Sequence, residues 1–208
     1  TRYVAAVAVP MFVFLAVCAP AFFTAWMGPG YERSAFVLRV LCFSWMLNSI
    51  AQVGGSVAMA VDYLRVMAKS ALLIIVLNVA LSVVLVRTVG FYGVAWGTLV
   101  AVNCGTLYFL NGLHRRLGLS NRRVWEQLLP SLLCAFLSAA AVLVLTAGFP
   151  LRELSRPLAA AVVLLQAAAF CAGYVFLNRI FSVFTREDIA FFSERLPQLR
   201  PLLRLFVR

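Results

Sequence analysis

Acidic residues are scarce in this chain. Asp and Glu together number seven against eighteen Lys and Arg in 208 residues, and none of the seven falls within any of its long uncharged stretches. Those stretches therefore hold no buried carboxylate for proton relay or for a cationic substrate, which favours anionic or neutral cargo. Histidine is scarcer still. His114 stands alone beside Arg115 and Arg116 at the end of an apolar stretch, and reads as a solvated interface residue rather than a ligand or base. The five cysteines, Cys18, Cys42, Cys104, Cys134 and Cys171, lie inside apolar stretches with no C-x-x-C pair and no accompanying His. That pattern argues against a metal or redox site and leaves small apolar packing residues. No cofactor is expected.

What the chain has in abundance is apolar length. Six stretches carry no charge, residues 3–27, 40–61, 70–86, 88–113, 127–151 and 157–178, of 25, 22, 17, 26, 25 and 22 residues. At about 1.5 Å rise per residue, a hydrocarbon core of about 30 Å needs about 20 of them, so five suffice alone. The third borrows its ends from Lys69 and Arg87, whose stems can lie in the apolar layer while their charges reach the headgroups. With 64% hydrophobic residues and a mean hydropathy of +0.98, the apolar surplus exceeds what a soluble core uses. The fold class expected is an all-α polytopic membrane bundle of six transmembrane helices.

The basic residues orient the bundle. Arg2, the 62–69 gap, the 114–126 gap and the tail from Arg179 share one side and hold thirteen of the eighteen Lys and Arg. The other side has Arg33, Arg39, Arg87, Arg152 and Arg156. The positive-inside rule puts the richer side, and both chain ends, in the cytoplasm. Charge placed at membrane edges is accounted for by anionic lipid headgroups and translocation bias, so the net charge of +11 does not point to nucleic acid. Thr1 is not an initiator Met and the first apolar stretch follows within two residues, without a signal-peptide cleavage pattern. This predicts a piece of a longer chain, with an N-terminal membrane region before it.

Four organisational units follow: residues 1–113 with four spans, a basic cytoplasmic loop at 114–126, two additional spans in 127–178, and a basic amphipathic tail at 179–208. In the tail, Thr185 and Asp188 can form a capping box with Ile189, Phe192 and Leu196 on one face. Arg195, Arg200, Arg204 and Arg208 among Leu and Phe predict a helix along the cytoplasmic surface. Within the spans, Pro10 and Pro20 remove backbone donors and should kink the first helix, which neighbours tolerate if they satisfy the freed carbonyls.

Polar residues fall on seams. At 100° per residue, Ser44, Asn48, Gln52, Gly55 and Met59 share one face of the second span, with Arg39 opposite Asn48; Ala71, Ile75, Asn78 and Ser82 form a similar face on the third. Amides in hydrocarbon need partners, so both faces should point into the bundle, either as interhelical hydrogen bonds or as the lining of a cavity. Arg39 either snorkels or turns inward as a cationic contact. On the fourth span Gly93, Gly97, Ala101 and Gly105 recur every fourth residue, a ladder of small side chains that lets another helix approach closely, with Asn103 and Thr106 on the far side.

The runs WMGPGY at 26–31, VLRVL at 37–41, LNVAL at 77–81 and VGFYGVAWGT at 89–98, with TREDI at 185–189, together resemble the C-terminal half of bacterial polysaccharide transporters. These belong to the multidrug/oligosaccharidyl-lipid/polysaccharide exporter superfamily, which contains the O-antigen flippases. The shared features are a Gly-containing turn followed by an aromatic residue, an N-x-x-L helix leading through G-x-x-G-x-A-x-x-T into the next, and the T-x-E-D tail. VDYLR at 61–65 departs from the Gly-Arg-Pro-like loop common in that group.

The resemblance implies a fragment of a 12–14-helix, two-lobe transporter of the bacterial inner membrane, not an enzyme. Its lobes rock about a central site so that a lipid-linked oligosaccharide, of undecaprenyl-pyrophosphate type, crosses the membrane. Its partners would be that cargo, membrane lipids and the missing N-terminal half of the same chain. Arg39, Asn48, Gln52 and Asn78 are the candidate substrate-binding residues: amides both donate to and accept from sugar hydroxyls, and Arg39 adds a cation. A drug/cation antiporter of the same superfamily shares the fold, and an intramembrane carboxylate would mark it. An integral-membrane sugar or acyl transferase would need convergent acids and bases, whereas the extracytoplasmic gaps offer only Glu32 and Glu153.

Overall fold

A computed structural model describes residues 2–148 and 154–181, and within them every regular element is an α-helix. The six are α1 (Arg2–Met27), α2 (Glu32–Ala60), α3 (Leu64–Val89), α4 (Tyr92–Leu117), α5 (Asn121–Thr146) and α6 (Arg156–Phe181). Each is long and apolar enough to cross a bilayer, as in a multi-pass membrane protein. The surface helix expected in the tail lies beyond Phe181, outside the described residues.

Charged turns extend several helices beyond the uncharged stretches into the headgroup layer, although α4 starts at Tyr92, inside the fourth stretch, and α5 ends at Thr146, inside the fifth. The 17-residue third stretch lies within the 26-residue α3, which takes Arg65, Lys69 and Arg87 into its end turns. α2 begins at Glu32 and so carries Arg33 and Arg39, as the apolar run before Arg39 leads one to expect. The segment 114–126, expected as a loop, is helical apart from Gly118, Leu119 and Ser120. An exposed Arg122–Glu126 ion pair at 2.8 Å, one turn apart, supports the first turns of α5.

The turns alternate between the two ends of the bundle. Arg156 at the start of α6 donates to the Met27 carbonyl at the end of α1, 3.1 Å away. At the opposite end Arg116 lies 5.1 Å from the ring centre of Tyr63, bringing the α4–α5 and α2–α3 turns together. The α2–α3 turn closes with Tyr63 N–H donating to the Ala58 carbonyl and Asp62 N–H to that of Met59. Asp62 thereby takes the left-handed position, φ 49°, that a glycine usually fills.

α1 is the hub. It packs against α2 on one side and against α5 and α6 on the other, while α4 sits between α2 and α3. One apolar core joins Val9 and Val13 of α1 to Ile50, Val142 and Phe170; a second joins Ala51 and Ala58 of α2 to Val66, Phe109 and Leu113. α3 rests almost wholly on α4 and leaves Leu72, Val76, Val79 and Val83 exposed, in keeping with a lipid-facing position.

Both prolines of α1 lie inside one continuous helix. A proline at position i has no N–H for the carbonyl at i−4, so Pro10 frees the Ala6 carbonyl and Pro20 that of Ala16. Each finds a donor from another helix: Tyr174 Oη donates to Ala6 at 2.8 Å, and Arg39 Nε to Ala16 at 3.1 Å. The two long-range bonds pin α6 and α2 to the places where the α1 ladder is interrupted.

Candidate functional site

The small-residue ladder of α4 determines where a cleft can form. An added Cβ at Gly93 would collide with the Leu85 backbone, one at Gly105 with Ile74, and one at Gly97 would stand 3.0 Å from Ser82. The ladder therefore seats α3, whose facing row Val66, Ser70, Ile74, Asn78 and Ser82 also has a spacing of four. With α3 drawn onto α4, it touches α2 only lightly. A cleft of about 120 Å³ remains between α2 and α3, with α4 as its floor.

Asn48, Gln52 and Gly55 form the α2 wall, Met67, Ser70 and Ile74 the α3 wall, and Gly105, Thr106 and Phe109 the floor. No charged side chain lines it. Asn48 and Gln52, one turn apart, are joined by a 3.2 Å hydrogen bond from Gln52 Nε2 to Asn48 Oδ1. That bond leaves the Asn48 amide as donor and the Gln52 carbonyl as acceptor, an arrangement that matches a pair of hydroxyls and offers nothing to an acid–base reaction. Among the described residues no group of three His, Cys, Asp or Glu is placed to hold a metal ion.

The four sequence candidates do not share this site. Asn78 accepts from Ser82 Oγ at 3.0 Å on the stretch of α3 that faces the Gly97 level of α4, and it does not line the cleft. Arg39 lies on the opposite side of α2, against α1, where it caps the Ala16 carbonyl and lines a different cavity. Of the expected α3 seam, Ala71 and Ile75 are exposed. α3 has one substantial neighbour, so its buried strip is narrow and follows the row facing the α4 glycines.

Two further polar residues, Ser70 and Thr106, line the cleft. Ser70, the first uncharged residue after Lys69, belongs to the spacing-of-four row that ends at Ser82. Thr106, on the far side of the ladder, faces α2 and is buried there. A second polar group, Gln166 donating to Thr146 Oγ1 at 3.3 Å and Tyr174 with Asn178, is buried among α1, α5 and α6. Its signal was present as isolated polar residues in the last two stretches. Comparison with models of known families, with curated proteins and with solved structures gives no match.

Proposed function

We propose that this chain forms part of a bacterial inner-membrane exporter that flips a lipid-linked oligosaccharide for surface polysaccharide synthesis, with both ends of the chain on the cytoplasmic side. Alternating access between two helical lobes is the mechanism, these helices supplying part of one lobe and its appended pair. The observation that carries the reading is the uncharged, amide-walled cleft between α2, α3 and α4. A neutral donor and acceptor one turn apart suit sugar hydroxyls, and the absence of a carboxylate from the cleft weighs against a drug/cation antiporter. We assign the sugar to Asn48 and Gln52, with Ser70 and Thr106 beside them. Asn78 and Arg39 are left outside that contact.

The test is export of surface polysaccharide by the full-length protein, normalised to its abundance. Asn48→Leu and Gln52→Leu should each impair export while insertion and protein level stay near wild type. Normal export in both variants would mean that the amides serve helix packing only.

A further inference from the structure

α2 turns a polar face outward. The helix packs against α1 and α4 and touches α3 only lightly, so part of its circumference is uncovered. At about 100° per residue, Trp45, Asn48, Ser49, Gln52 and Ser56 fall within an arc of about 100° on that side. Trp45, Gln52 and Ser56 are exposed, and Asn48 and Ser49 are half-buried. Asn48 and Gln52 also line the cleft with α3, and Trp45 stands one turn beyond Asn48, outside it.

Depth makes this face informative. Trp45 lies near the middle of α2, about 20 Å from either end at ~1.5 Å per residue. That is far from the headgroup layer, where exposed tryptophans usually anchor membrane helices. The indole is 47% exposed, and among the described residues its N–H has no hydrogen-bond partner. Acyl chains satisfy neither an indole N–H nor an amide or hydroxyl, so a row of such groups starting at mid-helix marks a surface that meets water or a polar occupant.

The chemistry of the row specifies the occupant. None of its five side chains is charged, which argues against a phosphate or an ammonium group at this depth. What it offers is a broad indole face beside neutral donors and acceptors. A pyranose ring matches both, because its C–H groups form an apolar face while its hydroxyls donate and accept around the edge. The row is also long and narrow. From Trp45 to Ser56 it spans about 16 Å at ~1.5 Å per residue, room for more than one sugar ring in line.

We propose that Trp45 is the stacking platform for a sugar ring of the exported oligosaccharide, and that the saccharide runs along α2 from Trp45 past Asn48 and Gln52 to Ser56. The inference rests on the exporter reading above and adds to it an aromatic residue outside the cleft, one that fixes the orientation of the ring.

The test measures export by the full-length protein in cells, normalised to abundance, with the thermal midpoint of each purified variant beside it. Trp45→Leu should lower export at least tenfold at unchanged abundance and midpoint, and Trp45→Phe, which keeps a flat aromatic face, should stay within threefold of wild type. Equal losses in the two would overturn stacking as the contact. A midpoint lowered by Trp45→Leu would mean that the ring packs against another helix, and would overturn the assignment. Impaired export in Asn48→Leu and Gln52→Leu with normal export in Trp45→Leu would overturn the platform and leave the exporter reading standing, whereas normal export in all three would overturn both. Water access is read separately, in a cysteine-free background of the full-length protein in nanodiscs. Ser49→Cys should react with a charged maleimide at least tenfold faster than Val79→Cys on the exposed face of α3, and equal rates would overturn the proposal whatever the export result.

Discussion

Tyr174→Phe should destabilise the bundle by an amount that depends on a residue 164 positions away. The hydroxyl donates to the Ala6 carbonyl at 2.8 Å, and Tyr174 is buried. Removing it leaves a buried acceptor that Pro10 prevents the helix from satisfying, a loss of about 1–3 kcal/mol. In a Pro10→Ala background the amide at position 10 returns and can donate to Ala6 as an ordinary helix bond. The tyrosine is then a second donor to a carbonyl that is already satisfied, and its removal should cost only about 0.5–1 kcal/mol. The four proteins of this cycle, unfolded by denaturant in micelles, should thus show a coupling of about 0.5–2 kcal/mol between residues 10 and 174. An equal cost of Tyr174→Phe in both backgrounds would refute the reasoning, because the hydroxyl would then be serving some group other than the proline-freed carbonyl.

Gly93→Ala should lower the unfolding midpoint more than Leu99→Phe, because its Cβ meets the Leu85 backbone and α3 must move off α4, at about 1–3 kcal/mol or more; thermal unfolding of the two purified variants compares them directly. Gly97→Leu should have the same sense, since even its Cβ would stand 3.0 Å from Ser82. Asp62→Gly should stabilise by about 0.5–1 kcal/mol, because φ 49° is unfavourable for any side chain; a loss of stability would show that the Asp62 carboxylate makes a larger contribution than its backbone costs. Reporters fused after Arg123 and after Arg152 should read cytoplasmic and periplasmic respectively, and one compartment for both would remove the six-span topology.

Much of the architecture is a one-dimensional property of the chain. Crossing a bilayer takes about 20 consecutive apolar residues wherever they stand, so six uncharged stretches count the helices; the turns follow less closely, since Arg87 lies inside α3 and the α3–α4 turn falls at Gly90 and Phe91. The glycine ladder is legible for the same reason: a repeat of four on one helix describes a smooth surface whatever packs on it. That amides in α2 must turn away from hydrocarbon is equally local, but the seam of α2 follows that expectation only in part. Ser44 and Gly55 are buried and Asn48 and Gln52 meet at a cleft, whereas Gln52 and Met59 are exposed, because α3 packs on α4 and covers little of α2.

The pairing of helices belongs to the tertiary structure. In lipid both the packed and the lipid-facing surfaces are apolar, so hydropathy does not separate the side of α3 that meets α4 from the side that meets acyl chains. Shape decides instead, and shape sets Ile74 and Ser82 opposite Gly105 and Gly97 while leaving Ile75 exposed. The prolines show the same division. Their positions announce that the carbonyls of Ala6 and Ala16 need donors, because the missing N–H is a property of the residue itself. Which residues answer, Tyr174 from the last helix and Arg39 from the second, depends on helices brought together across the bundle, and periodicity along a single helix carries no record of that.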